Sequence, residues 1–250
     1  MAFSFIQVNG ADPGTSTSVN HYDLASMNVA AGSLLVGFVK WENTATPISS
    51  ITNSGAAQTW ILGTVQNNQI VGLHGQFFWC LSTLANPTLV ITVNWATATA
   101  NWGRYRVVEY STSSPVVDVE VPGANQPSGG PTANAVSGTF STAQSVELVL
   151  GGAAFDNSED FSLTPPTIGG VTATIRGASS SDTVLFTNIT SSIISSGTVA
   201  ATGNTIAHWS INGVAFKENR ILAAASGSLG ITGTSTTLRL GSTTYLRYRR

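Results

Sequence analysis

The nine residues from Ser33 to Trp41 read SLLVGFVKW, and their pattern decides the fold class. Alternate positions separate into two sets, one made of Leu34, Val36, Phe38 and Lys40 and the other of Leu35, Gly37, Val39 and Trp41. A period of two is typical of a β-strand, because successive side chains of a strand point to opposite faces. The segment therefore predicts a strand, and helical periodicity is scarce in the rest of the chain.

The same pattern recurs along the chain between clusters of Gly, Pro, Asn and Ser. Further strands are predicted by HGQFFWCLS, TLVITVNW, GRYRVVEYS, SVELVLGGAAF, TVLFTNIT and AHWSINGVAF. Many short strands separated by turn signals are typical of an antiparallel sandwich or barrel. The proline- and glycine-rich segment from Val121 to Gly138 is expected to be a long loop between sheets, because neither half has enough strands to close its own sandwich.

These patterns predict an all-β fold with one jelly-roll-like antiparallel β-sandwich over residues 1–219. Residues 220–250 are expected to form an extended C-terminal β arm. The closing stretch reads GSLGITGTSTTLRLGSTTYLRYRR and predicts short strands around Gly233, over Leu229–Thr232 and Thr236–Leu240. A lone hairpin is marginal in water, so an ordered arm needs another surface to lie on.

The arm carries residues suited to contact with a protein surface, because Arg makes bidentate contacts and Tyr adds apolar area. The predicted assembly contacts are Leu229, Ile231, Leu238, Arg239, Tyr245, Arg247, Tyr248, Arg249 and Arg250. A frayed terminus is the alternative interpretation of the same stretch.

Composition narrows the function classes. The chain has 250 residues, of which 9% are charged, against roughly 25% in ordinary globular proteins. Its net charge is −2, and no basic stripe of the kind that binds nucleic acid is evident. A neutral, hydrogen-bonding surface suits a protein that faces the outside of cells or lies within a large assembly.

The N-terminal sequence lacks the basic and apolar regions of a secretory signal. Its longest apolar-leaning stretch, Leu24–Val39, is interrupted by polar residues and falls short of the roughly 20 apolar residues of a membrane helix. We therefore expect synthesis in a cytoplasm and no membrane insertion. Phage particles assemble in the host cytoplasm and are released by lysis, which reconciles this origin with an outward-facing surface.

Five segments resemble a known class of proteins: Ile48–Trp60, Phe77–Ser82, Arg104–Ser111, His208–Lys217 and the tail Ile221–Leu240. The body is similar to single β-sandwich domains of phage and prophage virion structural proteins. The tail is similar to the Gly-Ser-apolar-Thr-Gly repeats near their C-termini. The resemblance implies a non-enzymatic virion component, such as a capsid decoration, head-fibre or tail-tip protein. Its implied partners are coat or tail subunits and further copies of itself, for example in a trimer.

A carbohydrate-binding function is the alternative. Sugars stack on exposed aromatic rings and hydrogen-bond to polar side chains, and Trp102 follows a run of Ala and Thr at an expected hairpin tip. Asn101 and Arg104 lie beside it, so these three residues form the candidate contact to a host glycan. The competing interpretation is that Trp102 caps the sandwich core.

Four residues within FDNSEDF supply hard oxygen ligands of the kind that Ca²⁺ prefers: Asp156, Asn157, Glu159 and Asp160. A short acidic loop of this kind is usually just solvated, which is the competing interpretation, and no other cofactor is expected.

An enzyme that degrades polysaccharide is the third hypothesis. It needs two carboxyl groups across a cleft, but the candidates Glu109, Glu120, Glu147 and Asp156 are spread singly. The chain has no G-x-S-x-G motif, and Cys80 is expected to be a small buried residue. The sequence therefore predicts a protein without enzymatic activity.

Overall fold

The computed structural model describes residues 3–12, 18–42, 47–68, 72–97, 100–126, 132–156, 164–178, 182–219, 238–240 and 244–246. The chain divides into two compact units, residues 1–219, here called the body, and residues 220–250. The described residues form antiparallel strands and no helix, which confirms the predicted all-β fold.

The strands of the body fall into two halves joined by a short connector, Thr112–Ser114. The first half contains β1 (Ser4–Ala11), β2 (His21–Asp23), β3 (Met27–Val29), β4 (Leu34–Glu42), β5 (Ile48–Asn53), β6 (Ile61–Asn68), β7 (Leu73–Cys80), β8 (Asn86–Leu89), β9 (Ile91–Trp95) and β10 (Asn101–Ser111). The second half contains β11 (Pro115–Asn125), β12 (Thr132–Val136), β13 (Glu147–Phe155), β14 (Thr167–Ile168), β15 (Val171–Thr172), β16 (Thr174–Ala178), β17 (Thr183–Ile189), β18 (Val199–Ala207) and β19 (Trp209–Glu218).

Each half is a sandwich with its own core. In the first half, the sheet β1-β10-β4-β7-β6 covers the smaller sheets β2-β9-β5 and β3-β8, and a core that includes Tyr22, Val39, Phe78 and Trp95 lies between them. In the second half, the sheet β11-β19-β13-β17-β16 covers β12-β18-β14-β15. The body is thus two sandwiches in succession.

The two five-stranded sheets pack against each other and enclose a third core. Leu34, Val36 and Phe38 contribute to it from β4, and Leu148 and Leu150 contribute from β13. This arrangement explains why SLLVGFVKW is apolar on both faces, because one face of β4 lies in the first core and the other lies in the shared core.

The two halves share one topology. If the short strands β3, β8 and β15 are left out, the strands of each half can be numbered from one to eight along the chain. Both five-stranded sheets then have the same order: first, eighth, third, sixth and fifth strand. The second, seventh and fourth strands lie in the opposite sheet, which is a jelly-roll-like succession. Even a β-bulge is repeated, since the pairing shifts at Ile6 in β1 and at Asp118 in β11.

The halves are related approximately by a two-fold axis. The edge strand β1 lies against β16, and the edge strand β6 lies against β11. A two-fold axis parallel to the strands gives this reversal of strand order, and it brings equivalent loops to the same end of the body.

The predicted antiparallel β-sandwich is confirmed, and it is built from two halves, each of which closes its own hydrophobic core with its own pair of sheet layers. One expectation about this region is wrong. The segment expected to be a long loop, Val121–Gly138, contains the end of β11 and the whole of β12. The break between the two halves lies instead at Thr112–Ser114, which carries no proline or glycine.

In the second unit, the described residues form one antiparallel pair, β20 (Leu238–Leu240) and β21 (Thr244–Leu246). The backbone of Leu238 lies opposite Leu246, and that of Arg239 lies opposite Tyr245. The other predicted assembly contacts, Leu229, Ile231, Arg247, Tyr248, Arg249 and Arg250, lie outside the described residues.

Candidate functional site

The body has two distinct ends. At one of them, here called the loop end, β4 finishes at Glu42, β10 begins at Asn101 and β13 finishes at Phe155. At the other, here called the connector end, Thr112–Ser114 joins the two halves and β19 finishes at Glu218. The approximate two-fold axis brings the predicted glycan residues and the described part of the predicted calcium loop to the same loop end.

Trp102 is held in an unusual backbone conformation at the loop end. Its φ of 48° lies in the left-handed region, and the pairing of β10 with β4 is irregular between Asn101 and Arg104. The side chain is 40% exposed, so part of the indole ring is accessible at the surface. A bulky residue in this region is strained, and such strain is concentrated at ligand sites.

The ring of Tyr22 supports the bulge from beneath. The Tyr22 hydroxyl donates to the carbonyl of Ala100 and accepts from the amide of Gly103, each at 3.3 Å. A Cβ on Gly103 would lie 2.0 Å from the Tyr22 ring, so this position requires glycine. The contact fixes the backbone on both sides of Trp102.

The other two predicted glycan residues are less accessible. Arg104 is engaged in ion pairs, with its Nε 3.5 Å from an oxygen of Asp182 and 3.8 Å from one of Asp12. Asn101 is only partly exposed. Of the three predicted ligand-binding residues, Trp102 is therefore the one that presents an exposed side chain.

Arg104 belongs to a charged cluster that joins the two halves. The fully buried Lys40 lies 2.7 Å from Asp182 of the second half and also pairs with Glu42. Arg106 forms two hydrogen bonds to Asp12, at 2.8 and 2.9 Å, and one to the carbonyl of Ala178. The sequence did not predict this cluster, although the chain is poor in charge. The feature of the sequence that indicated it was the position of Lys40 inside an otherwise apolar strand.

Within the predicted calcium loop, Asp156 is the residue that the structure describes. Both of its oxygens are occupied, since one accepts from the amide of His208 and the other lies 2.9 Å from His208 Nδ1. Asn157, Glu159 and Asp160 lie outside the described residues. Among the residues that are described, no group of three His, Cys, Asp or Glu side chains could hold a metal ion.

The candidate catalytic carboxyl groups have separate partners. Glu109 is buried and accepts from the Gln7 amide at 2.5 Å, and Glu120 accepts from the backbone amide of Thr64 at 2.8 Å. Glu147 accepts from the backbone amide of Gln144 at the connector end. These contacts place each carboxyl group in a different layer or at a different end of the body.

Burial shifts the pKa values of two titratable groups strongly. It raises the pKa of the Glu147 carboxyl to about 7, and the negative charge of nearby Asp118 adds to the effect. It lowers the pKa of His74 to about 4, so this imidazole is neutral where it stacks on Trp41. Cys80 is buried as expected, and burial raises the pKa of its thiol.

Comparison with protein-family models and with curated protein sequences gives no match to this chain. In the part of the chain that the structure describes, there is no helix of the length and apolar character needed to cross a membrane.

Proposed function

We propose that this protein is a non-enzymatic structural component of a phage particle, such as a capsid decoration, head-fibre or tail protein. Residues 220–250 attach it to neighbouring subunits, which are coat or tail proteins and further copies of itself. The two sandwiches of the body form the outward-facing part.

The observation that carries this proposal is the contrast between the two units. The body encloses three hydrophobic cores, whereas the described part of residues 220–250 is one pair of three-residue strands. A two-stranded ribbon of this size is marginal in water by itself. An added strand on the sheet edge of a neighbour would satisfy its backbone groups.

The two ends of the body suit an attached protein. β19 finishes at the connector end, where Glu218 accepts hydrogen bonds from Thr112, Ser113 and Ser114. Trp102 lies at the loop end. The last strand of the body therefore ends at the opposite end from Trp102.

The test is a truncation after Asn219. The truncated chain is expected to fold, because the body holds all three cores, and to be missing from purified particles that contain the full-length chain. Thermal unfolding of the truncated chain supplies the control for folding. A folded truncated chain that loads onto particles at the full-length level would overturn the proposal.

Host-glycan binding is a second candidate function, which the exposed Trp102 at its strained φ of 48° favours. A glycan array probed with the native chain and with Trp102→Ala tests it. Loss of a glycan signal in the variant is the expected result. Equal signals from the two proteins would exclude Trp102 as the contact.

A further inference from the structure

A surface groove lies at the connector end of the second half. One wall is the turn between β14 and β15, residues 168–171, and the other is the loop of residues 190–196. The amide of Thr190 donates to the carbonyl of Glu147, the first residue of β13, at 2.8 Å. The backbone of Glu147 in turn lies opposite Lys217, near the end of β19. The groove is therefore close to the point at which the last strand of the body ends.

Hydrogen bonds hold both walls of the groove in place. The amide of Ile194 donates to the Thr142 hydroxyl oxygen, and the amide of Thr142 donates to the Ile194 carbonyl, each at 2.9 Å. In the opposite wall, the amide of Gly169 donates to the carbonyl of Thr198 at 2.9 Å. The groove has a volume of about 280 Å³. Because its walls are already fixed, an occupant binds without the cost of ordering them.

The groove presents aliphatic side chains to solvent. Val171 and Ile193 are each 58% exposed, and Ile189 is 37% exposed. The lining also carries the hydroxyl groups of Thr190, Ser191, Ser192, Ser195 and Ser196. The described residues that line the groove are all uncharged. Exposed apolar side chains rimmed by polar groups mark an interaction site, and a charged occupant would lose its hydration without gaining a counter-charge.

An unpaired sheet edge borders the groove. β15 is the outermost strand of the sheet β12-β18-β14-β15, and both of its residues, Val171 and Thr172, are exposed. Among the strands that the structure describes, β15 pairs with β14 alone. Such an edge accepts an extended segment as an added strand. Because Val171 belongs both to the edge and to the groove, one extended segment can engage the two together.

The sequence that follows the body has the chemistry that the groove requires. Residues 221–237 read ILAAASGSLGITGTSTT, which contains 17 residues and no charge. Leu229 and Ile231 are two positions apart, so they share one face when the segment is extended. Small and hydroxyl-bearing residues surround them, as they surround the aliphatic side chains of the groove.

The position at which the body ends also favours this segment. β19 and β17 are two strands apart in one sheet, a separation of about 10 Å. The chain therefore leaves the body at the end that carries the groove. Fully extended, residues 221–237 would reach about 56 Å, which is long enough to pass from one copy to the next.

We propose that residues 221–237 of a second copy of this chain lie in the groove. Leu229 and Ile231 contact Val171 and Ile193, and the backbone adds a strand to β15. This inference rests on the proposed function, because it names the surface on which residues 220–250 attach to a further copy. Reciprocal exchange of the segment brings the connector ends of the copies together, which allows the assembly to close.

The first test is sedimentation velocity of the full-length chain with an aspartate in the groove. Ile193→Asp and Val171→Asp each place a charge in an uncharged groove, and both are expected to raise the dissociation constant of the oligomer by about tenfold or more. Leu84→Asp is the matched control, because Leu84 is 52% exposed and does not line the groove. It is expected to leave the dissociation constant unchanged. Thermal unfolding of each variant checks that the body is folded.

The second test distinguishes exchange between copies from binding within one copy. Two full-length chains with different tags, one carrying Ile193→Cys and the other Ile231→Cys, are mixed and oxidised with copper phenanthroline. A covalent heterodimer is expected on a non-reducing gel, and Leu84→Cys in place of Ile193→Cys should give none. The native Cys80 is 1% exposed and does not interfere. If the double variant instead closes a disulfide within one chain and the mixture gives no heterodimer, the segment lies in its own groove and the proposal is wrong.

Failure of this inference is distinguishable from failure of the proposed function. An unchanged dissociation constant in both groove variants, or an equal loss in Leu84→Asp, overturns the groove as the contact. The proposed function still holds in that case if truncation after Asn219 prevents loading onto particles. Weakened oligomers of the groove variants, together with a truncated chain that loads normally, would overturn the proposed function and leave the groove contact intact.

Discussion

The two sandwiches of the body have the same strand order and the same bulge, but they are filled differently. Large aromatic residues take a similar share of both cores, but the first core contains one alanine, Ala100, among its buried residues. The second contains five: Ala135, Ala153, Ala173, Ala201 and Ala215. The backbone pattern is therefore common to both halves, while volume and charge are specific to each.

The difference is clear where the edge strands of the two five-stranded sheets meet, β1 against β16 and β6 against β11. Arg106 forms an ion pair with Asp12 beside the first pair of strands, whereas Asn212, at the equivalent position, donates to the carbonyl of Thr64 beside a cavity of about 290 Å³. The approximate two-fold axis thus shows that the long, charged side chain of Arg106 in the first half corresponds to the short, neutral side chain of Asn212 in the second half.

The largest expected effect concerns a charged contact between the two halves, formed by Lys40 of the first and Asp182 of the second. Asp182→Ala leaves the fully buried Lys40 with Glu42 as its remaining ion-pair partner. Removing one partner of a buried pair costs about 3–5 kcal/mol when the other charge is left unpaired, and because Glu42 still pairs with Lys40, urea unfolding should show a loss near the lower limit, about 3 kcal/mol. The equivalent position to Lys40 in the second half is Ala154, which needs no such partner.

The matched control removes both charges at once. Lys40→Met combined with Asp182→Leu should cost clearly less than Asp182→Ala, because no lysine is then buried with Glu42 as its one remaining ion-pair partner. A loss below about 1 kcal/mol for Asp182→Ala would contradict the role of this contact in joining the halves.

The second effect is a pH dependence that arises in the second half. Burial holds the pKa of Glu147 at about 7, above its ordinary value of 4.5, so the folded state binds this proton more tightly than the unfolded state. The free energy of unfolding therefore falls as the pH rises from about 5 to about 8, by up to about 3 kcal/mol. The equivalent residue of the first half, Ser33, does not titrate.

Glu147→Gln isolates this contribution, because other groups such as His74 titrate identically in both proteins. The stability of the variant relative to the native chain should rise between pH 5 and pH 8. Parallel stability profiles, measured by urea unfolding across this range, would rule out the buried Glu147 carboxyl as the cause.

The third prediction tests the equivalence of the two halves directly. A Cβ on Gly37 would lie 2.1 Å from the Phe78 ring, and a Cβ on Gly151 would lie 2.4 Å from the Phe186 ring. Each Gly→Ala change should therefore cost about 2 kcal/mol through overpacking. Phe78→Leu should recover part of the loss in the first half, and Phe186→Leu part of that in the second. A large cost in one half alone would break the equivalence.

The smallest effect concerns a feature of the first half. Trp102 is the one described residue other than glycine with a positive φ. Trp102→Gly should be more stable than Trp102→Ala by about 0.5–1 kcal/mol, because both variants lose the same indole but only glycine adopts this conformation without strain. Trp102→Ala retains the Cβ, and equal stabilities of the two variants would argue against backbone strain.

The sequence predicts the fold class well because alternation is a local property of each strand. In SLLVGFVKW both sets of alternate positions are largely apolar, and the structure buries both faces of β4. The sequence did not predict that the two halves share one topology, because the halves have the same strand pairing but different residues. Leu34–Glu42 and Leu148–Asp156 occupy equivalent positions, yet they agree mainly in apolar character and in the glycine at Gly37 and Gly151.

The candidate sites were predictable only in part. The exposure of Trp102 follows from its position at a strand end, which is readable from the sequence. The engagement of Arg104 by Asp182 and the cavity beside Asn212 depend on how two distant sheets pack. Contacts between residues so far apart in the chain leave no periodic signal that a single sequence can reveal.

The most direct test of the account is the sedimentation velocity of the full chain and of residues 1–219 at matched concentrations. The body completes its own cores, whereas we propose that the strand pair in residues 220–250 lies against a neighbouring subunit. We predict that residues 1–219 sediment as a monomer and that the full chain forms a discrete oligomer. Monomeric sedimentation of both proteins up to the highest soluble concentration would contradict the assignment of self-assembly to residues 220–250.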